Sequence, residues 1–389
     1  MRIPLICLHG VIWDVHMLAN ADLHIHSPFS MAVSRAMHPE KLLNACALKG
    51  LHVLGTGDAL HPAWQEEWKP FLSNSQGICV IPTGEIEDDH RVHHLILAED
   101  FGQFDQLRDL LSQNSRSIGT NGRPHVFLSG EAIAQRVHEV GALIGPAHAF
   151  TPWTALFAYH DSVAGCYGKE SINFMELGLS ADSSYGAGIP DLSDVPFLTN
   201  SDAHSPLPEK IGREFNKIQV SGNLTPRNLL NCISAGTITM NAGFFPEEGK
   251  YNRTACVRCF TQYSVEDAGR YNWRCPADNG LIKKGVYDRA RELSHGTPRQ
   301  RPPYLHLIPL GQIIQTIEGV SSPQTKKCRE IYNEFITTFG NEIDILISTP
   351  LSEIRMVHNG VADAIAALRE NHVILHPGGG GKYGTFSLL

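Results

Sequence analysis

Several features of common protein classes are missing from this 389-residue sequence. No apolar run approaches the roughly 18 residues that span a bilayer, so we expect no membrane partner. No GxGxxG or GxxxxGK[ST] motif follows a strand-like segment, which argues against a nucleotide cradle. The nine cysteines are scattered, apart from the pair Cys256 and Cys259, and this pattern suits a reducing cytoplasm better than a disulfide framework. We therefore expect a cytoplasmic protein.

Charge is scarce and unevenly distributed. Charged residues make up 19% of the chain and the net charge is −8, which argues weakly against a nucleic-acid partner. Residues 251–301, however, carry a local net charge of +5, which leaves −13 on the remainder. An acidic body with a basic module could still bind DNA, and metal ions would offset several of the carboxylates.

The N-terminal residues resemble a secretory signal, with Arg2, an apolar stretch and the small residues "ANA". Cleavage after this motif would remove the start of the strand-like segment that holds His24 and His26. Since Met17 offers a later start, we predict that residues 1–18 form an extension and that residues 1–16 are dispensable.

Short apolar runs alternate with helical patterns from residue 19 to about 245. The runs "HVLGTGD", "GICVIPTGE", "VHHLILA" and "ALIGPAH" are typical of buried strands, whereas "HPEKLLNACALKG", "FDQLRDLLSQ" and "SGEAIAQRVHEVG" have helix spacing. Repeated βα units predict a parallel sheet, either open or closed into a barrel, with its chemistry at the carboxyl ends of the strands.

Metal-ligand residue types recur at these strand ends. In "ADLHIHSPFS", His24 and His26 are two residues apart, so in an extended segment both side chains lie on one face and suit a shared divalent metal. Carboxylates can bridge cations and imidazoles can complete the coordination, so we predict a site for two or three divalent cations (Zn, Mn or Mg). The candidate ligands are His24, His26, Asp58, His61, Glu85, His93 or its neighbour His94, His148, Asp202 and His204.

A basic, aromatic element interrupts the alternation at residues 246–302, and helical spacing returns over residues 303–389. Cys256 and Cys259 form a metal knuckle, and Cys275 lies at the loop distance usual for zinc ribbons, so we predict one structural zinc ion. Asp278 is the candidate fourth ligand. Completion by water or another side chain, or loss of the metal, are the alternatives.

The motifs "DLHIHS", "GTGDALH", "TGEIE", "PAH" and "NSDAHS", in this order, resemble those of the PHP superfamily (polymerase and histidinol phosphatase). The resemblance implies a distorted (βα)7 barrel over residues 19–245 with a trinuclear metal centre, and His26, Glu85 and Asp202 as catalytic residues. It also implies three ligand sets: His24, His26, Glu85 and Asp202; Glu85, His93 and His148; and His61, His204 and Asp58. The H-x-L pattern of the superfamily favours His93 over His94.

A narrower resemblance covers most of the chain. The segments "NADLHIHSPFSMAVSRAM", "MELGLSAD", "NSDAHSPLPEKIGREFN" and "CVRC…RCPADNGLIKKGVYDRA" look like endonuclease Q, a family of PHP-type DNA repair nucleases. The resemblance implies metal-dependent cleavage 5′ of deaminated bases (uracil, hypoxanthine) or abasic sites in double-stranded DNA, by a PHP barrel with an inserted zinc-binding element and a helical C-terminal domain. Two features depart from the family: Asp278 replaces a fourth cysteine, and the "PGGGGKYG" turn lacks a Tyr-Asp pair.

Six residues are candidate substrate contacts for such an enzyme: Ser180, Asp182, Lys210, Arg213, Arg270 and Arg274. The first pair could line a pocket for an extruded base, although Asp182 also suits a helix cap. The second pair could clamp a phosphate or form surface ion pairs with the neighbouring glutamates. The last pair alternates with aromatics that either stack on bases or form a small core.

A sliding clamp is a further candidate partner, and two other function classes stay open. A PHP-type small-molecule phosphatase, acting on histidinol phosphate or a nucleotide, would use the same metals but would not need residues 250–301. A catalytically silent DNA-binding PHP protein would have lost ligands, whereas the set is complete in this sequence.

Overall fold

The computed structural model describes residues 16–388, and over this range the chain is a mixed α/β protein. The strands are β1 (His16–Asp22), β2 (Val53–Gly55), β3 (Cys79–Ile81), β4 (Thr83–Glu87), β5 (His93–Leu97), β6 (Leu143–Pro146), β7 (Met175–Glu176), β8 (Phe197–Leu198), β9 (Phe215–Ser221), β10 (Ile238–Gly243), β11 (Ala255–Cys256), β12 (Ile282–Lys283), β13 (Tyr304–His306), β14 (Val373–His376) and β15 (Thr385–Leu388). The helices are α1 (Pro39–Lys49), α2 (Pro62–Trp68), α3 (Phe101–Leu111), α4 (Gly130–Glu139), α5 (Leu156–Tyr159), α6 (Val163–Tyr167), α7 (Ser183–Ala187), α8 (Pro226–Ser234), α9 (Val265–Arg270), α10 (Val286–Leu293), α11 (Leu310–Glu318), α12 (Lys326–Phe339), α13 (Glu342–Ile347), α14 (Leu351–Val357) and α15 (Asn359–Arg369).

The largest sheet has six strands in the order β13-β10-β9-β1-β2-β3. β1, β2 and β3 run parallel, whereas β1 pairs antiparallel with β9 from His16 opposite Ser221 onwards. The strand thus begins inside the predicted N-terminal extension, and the rest of that extension, residues 1–15, lies outside the described residues. Beyond β1 the chain stays extended, and an isolated parallel bridge joins Ile25 to Ala203. This bridge brings the first and last metal motifs side by side.

A second sheet differs from the parallel pairing that we predicted. β4, β5 and β6 are antiparallel, with Glu85 opposite Leu95 and Leu95 opposite Gly145. The connection between β4 and β5 covers only residues 88–92, which is long enough for a hairpin but too short for a parallel crossover. β7 and β8 form a separate parallel pair.

The three predicted helices are present, and each buries apolar residues of its segment. α1 begins with Pro39, ends at the left-handed Gly50 (φ 91°) and buries Leu42, Leu43 and Cys46. α3 and α4 cover the other segments with helix spacing, so all three helix predictions are confirmed. No helix within residues 16–388 combines the length and the apolar character that a membrane span requires.

The basic element has its own small core, and the C-terminal residues return to the main body. Cys256, Cys275, Ala268 and Ile282 are buried together, with two of the element's aromatics packed against them. After residue 303, β13 adds to the large sheet beside β10, so the sheet continues past the predicted domain boundary. α11 to α15 follow, and the buried pair of Lys49 Nζ and a Glu342 oxygen, 2.7 Å apart, ties α13 to α1.

Candidate metal centre

Two histidines and an aspartate from distant parts of the chain converge beyond the end of β1. Nε2 of His26 lies 3.1 Å from Oδ1 of Asp202, and Nε2 of His24 lies 3.8 Å from the same oxygen. All three atoms are buried, and none makes a hydrogen bond of acceptable geometry with the described residues. Because buried polar atoms without partners are costly, the arrangement fits a cation bound at their centre.

A second group shares a carboxylate with the first. Oε1 of Glu85 lies 2.8 Å from Nδ1 of His93 and 3.0 Å from Nε2 of His148. Oε2 of the same side chain lies 3.4 Å from Nε2 of His26, in the first group. Glu85 therefore stands between the two groups, in the position that a bridging ligand would occupy.

Electrostatics keep this carboxylate ionised. Burial alone would raise the pKa of Glu85, but the neighbouring His93 and His148 outweigh burial and hold that pKa well below its usual range. Burial alone would likewise lower the pKa of His24, yet the surrounding carboxylates, Glu176 foremost, raise it to about 9. The same concentration of negative charge would attract a divalent cation.

Backbone strain coincides with the cluster. Asp58, His148 and Asp202 adopt left-handed conformations, with φ of 48°, 32° and 46° respectively. Such conformations are uncommon for residues other than glycine, cost about 1 kcal/mol or more each and concentrate at functional sites. Each of the three follows a strand end within a few residues, so the chain turns sharply where the predicted ligands lie.

The residues predicted for a third metal are not gathered in this way. Within residues 16–388, the groups of three or more ligand atoms that lie within 4.8 Å of one another include neither His61 nor His204. The ring of His61 stacks on Phe29 with 3.7 Å between centroids, while the ring of His204 lies 4.7 Å from that of His26. A third metal at these residues stays a prediction.

Two buried carboxylates orient the histidines instead of offering free oxygens. Asp58 Oδ1 lies 3.1 Å from Nδ1 of His26, opposite the nitrogen that faces the cluster. Glu176 contacts Nδ1 of His24 at 2.9 Å and accepts a hydrogen bond of 2.8 Å from the backbone N–H of His148. Partners of this kind fix the tautomer and direction of metal-ligating imidazoles. We predicted Asp58 as a direct ligand, whereas its oxygens are engaged in this structure.

His94 lies on the opposite face of β5 from His93. Its Nδ1 lies 2.7 Å from the hydroxyl of Tyr167, and its Nε2 lies 3.1 Å from Asp88 Oδ2, close to Cys166. Both imidazole nitrogens are therefore engaged. The structure places His93, and not His94, beside Glu85.

Sequence reasoning missed two residues that contact the cluster. Glu176 is the last residue of β7, inside the strand-like run "NFMELGLS", and the strand-end signal that identified Glu85 could have found it. Arg123 lies in a loop between α3 and α4, where no periodic pattern marks it. Its Nη1 lies 3.2 Å from Glu85 Oε2.

The four residues predicted for structural zinc do lie together. Cys256 Sγ lies 3.4 Å from Asp278 Oδ1, Cys259 Sγ lies 3.6 Å from Cys275 Sγ, and all four ligand atoms are within 4.8 Å of one another. The N–H of Gly280 donates to Asp278 Oδ1 and lowers the pKa of this carboxyl. Three thiols and an ionised carboxylate fit a tetrahedral zinc site.

The two groups of ligand atoms together form what we call the metal-type cluster: His24, His26, Glu85, His93, His148 and Asp202. A cavity of about 730 Å³ opens over it. Ser180, Lys210 and Arg213 line it, as predicted for substrate contacts. Arg213 is held in place, since its Nε donates to the carbonyl of Ser201 at 2.9 Å and its guanidinium lies 5.9 Å from the ring centroid of Phe244. The predicted phosphate clamp thus faces the same space as His93, His148 and Asp202.

The other three predicted substrate residues lie elsewhere. Asp182 caps α7 and pairs with His306 at 3.1 Å, and it is not among the residues that line the cavity. Arg270 and Arg274 are exposed on the basic element, where Arg270 is paired with two acidic residues of α9. None of these three residues lines the cavity, and their contact with a substrate stays a prediction.

Comparisons with known proteins extend over nearly the whole chain. A family model of the MJ0043 C-terminal domain matches residues 309–372. The uncharacterized protein MJ0043 of Methanocaldococcus jannaschii is 44% identical over 245 residues, so that the match spans 61% of this chain but only 31% of that relative.

Two solved structures superpose on the full fold. The lesion-specific endonuclease PfuEndoQ from Pyrococcus furiosus matches with a TM-score of 0.92 and 43% identity, covering 96% of both chains. Endonuclease Q in complex with a 27-mer duplex substrate, which has an abasic lesion at the active site, matches with a TM-score of 0.90 and 42% identity, covering 96% of this chain and 97% of that one. With this similarity over almost its entire length, the chain belongs to the endonuclease Q family.

Proposed function

We propose that this protein is a metal-dependent DNA repair endonuclease that hydrolyses the phosphodiester 5′ of a damaged nucleotide in duplex DNA. The damage would be a deaminated base (uracil or hypoxanthine) or an abasic site. One observation carries the proposal: an ionised carboxylate, Glu85, joins two groups of buried ligands beneath a cavity lined by basic side chains. Family membership and the abasic-lesion duplex bound by a relative support DNA as the substrate.

Divalent cations would occupy the two ligand groups. His24, His26 and Asp202 would hold one, and His93 and His148 would hold another, with Glu85 shared. Cations bound there would acidify a water molecule and neutralise charge on the phosphate. The carboxylate oxygens suit manganese or magnesium, whereas the four imidazoles favour zinc.

The protein's own residues would bind and orient the DNA backbone. Lys210 and Arg213 would hold phosphate oxygens in the cavity, while Asp58 and Glu176 keep the imidazoles aligned. An oxygen of water would bond to phosphorus as the bond from phosphorus to the 3′ oxygen breaks. The products would be a 3′-hydroxyl and a 5′-phosphate on the damaged nucleotide.

The wider architecture supports the same function. We propose that the strands of residues 19–245, extended by β13 in the large sheet, form the distorted (βα)7 PHP barrel. We further propose that residues 246–302 form a zinc-binding element and that residues 303–389 form the C-terminal domain, which is helical from α11 to α15. In the zinc element, Phe260 and Tyr271 are 41% and 44% exposed and stand near Arg270 and Arg274 in sequence, a combination that suits contact with bases and phosphates. The sliding clamp stays a prediction.

One assay tests this function. The protein would be incubated with Mg²⁺, Mn²⁺ or Zn²⁺ and a labelled duplex that carries one deoxyuridine, one deoxyinosine or one abasic site. We expect a single nick immediately 5′ of the lesion, a 3′ end that a polymerase extends, and hardly any cutting of the undamaged control. Release of phosphate from histidinol phosphate or a mononucleotide, without a nick, would favour the phosphatase. Binding without cleavage under every metal would favour the silent barrel.

A further inference from the structure

Arg123 contacts the shared carboxylate from outside the two groups of predicted metal ligands. Its Nη1 lies 3.2 Å from Glu85 Oε2, and its side chain is 27% exposed where Glu85 is 1% exposed. The guanidinium also lines the cavity, together with Lys210 and Arg213. It thus contacts both the metal-type cluster and the space where a substrate would lie.

The loop that carries Arg123 is built to approach the cluster. The backbone N–H of Gly122 donates to the carbonyl of Phe29, and a Cβ at Gly122 would lie 2.3 Å from Asp58 Oδ2 and 2.4 Å from Ser30 Oγ. Only glycine allows the backbone so close to that buried carboxylate. The N–H of Arg123 then donates to the side chain of Asn121 at 3.0 Å, which sets the direction of the chain.

A cation held by Glu85 would weaken this contact. A carboxylate oxygen that coordinates a cation has less charge to share with an arginine, so donors of the Arg123 guanidinium would then be available to a substrate. Arginine stays protonated in proteins and presents a planar fork of N–H groups that matches two phosphate oxygens. Arg213 differs from Arg123, because its Nε donates to a backbone carbonyl that is not one of the predicted metal ligands.

We propose that Arg123 is a catalytic residue that binds a non-bridging oxygen of the scissile phosphate next to Glu85. The inference rests on the proposed nuclease function. The oxygen of water bonds to phosphorus, the bond from phosphorus to the 3′ oxygen breaks, and the proton lost by the water ends on that 3′ oxygen. Arg123 keeps all its protons and stabilises the extra negative charge that the phosphate oxygens carry in the transition state.

The test uses Arg123→Ala and Arg123→Lys in the full-length protein, with Arg116→Ala as the matched control. Arg116 lies in the same loop but is exposed, with its guanidinium 6.0 Å from the ring centroid of Phe127. In single-turnover cleavage of a deoxyuridine duplex with Mn²⁺, we expect Arg123→Ala to be slower by about 10²- to 10³-fold. Arg123→Lys should be intermediate, because an ammonium keeps the charge but loses the fork, and Arg116→Ala should be unchanged.

Three further measurements separate a catalytic role from a structural one. Added guanidinium ion should restore a large part of the cleavage activity of Arg123→Ala, but it should restore none of the activity of Asp202→Asn. The metal content of Arg123→Ala, measured by elemental analysis, and its thermal melting temperature should match those of the wild type. Cleavage by Arg123→Ala within threefold of wild type, loss of its metals, or absence of rescue in a folded and metallated variant would each overturn the proposal.

Failure of the nuclease function itself would look different. Wild-type protein would then leave every damaged duplex intact, whatever the variants do. The same variants would in that case be assayed on a small chromogenic phosphodiester, where an unchanged rate for Arg123→Ala would overturn the role of Arg123 separately.

Discussion

The metal-type cluster and the cysteine cluster gather their ligands in opposite ways. The first takes side chains from residues 24–202 that lie on several strands or shortly after their ends, and all of them except Asp202 are buried. The second takes all four ligands from residues 256–278, and one of them, Cys259, is exposed. The first is thus a product of long-range packing, whereas the second depends on one short loop and the turn that closes it.

The difference predicts how each region responds to metal. Asp58 and Glu176 hold the histidines through hydrogen bonds that need no cation, so the first cluster is preorganised by the fold. The cysteine cluster rests on a core of only four buried side chains, too few to hold the loop without help. Chelation should therefore leave residues 16–245 folded and make residues 256–278, the loop that carries the four predicted zinc ligands, more susceptible to proteolysis.

The largest effect should follow a change in the buried cluster. Asp202→Asn keeps the size of the side chain but removes the charge that faces His24 and His26. Losing several kcal/mol of charge stabilisation should lower cleavage of a deoxyuridine duplex by about 10³-fold or more. His90→Ala, which removes a histidine that is exposed, serves as the control. Full wild-type activity after chelation and dialysis would show that the cluster needs no metal.

The orienting carboxylate tests whether preorganisation matters. Glu176→Ala removes the partner of His24 Nδ1 and of the His148 backbone N–H, so metal affinity should fall by about 10- to 100-fold. Titration of Mn²⁺ into the metal-free protein measures the change. Glu170→Ala, which removes a half-buried partner of His138, should leave the affinity alone. Equal affinities would mean that the strand ends alone align the ligands.

A smaller effect is expected at the cysteine cluster. Asp278→Cys replaces a hard oxygen ligand by a thiolate, so zinc should bind about tenfold more tightly, and Asp278→Ala should weaken binding by a similar factor. Competition with a chromogenic zinc chelator measures both. The same zinc content and affinity in all three proteins would mean that Asp278 is not the fourth ligand.

The smallest effect should come from the exposed arginines of the basic element. Arg270 is already paired with Glu266 and Asp267, so the double variant Arg270→Ala with Arg274→Ala should lower DNA affinity by less than about tenfold. The slope of the log of the binding constant against the log of the salt concentration should become shallower by at most about 2. Hydrolysis of a small chromogenic phosphodiester should not change. Arg355→Ala, which removes a half-exposed arginine of α14, is the matched control. An unchanged slope would mean that these two arginines do not contact the DNA backbone.

Much of the fold could be predicted because its signals are local. The helices α1, α3 and α4 follow from apolar spacing and from capping signals at their termini, such as the proline and glycine of α1 and the capping box of α3, and these act within a few residues. The antiparallel pairing of β4 and β5 was missed because strand direction depends on which partner a strand meets, although the short connection between them was a usable clue. Asp182 shows the same limit, since a capping aspartate and a pocket aspartate look alike in sequence.

The sequence by itself determined the chemistry of both clusters: which residues offer nitrogen, oxygen or sulfur, and that Cys256, Cys259, Cys275 and Asp278 are close enough along the chain to share one loop. The tertiary structure decided that His93, which the H-x-L pattern already favoured, meets Glu85 and His94 does not, and only the tertiary structure brought Asp58 to Nδ1 of His26. Adjacent residues of a strand face opposite ways, and which face meets the cluster depends on strands far away in the sequence. The physical reason is the range of the interactions involved. The type of ligand atom is a property of one residue, whereas its position depends on how distant strands pack together.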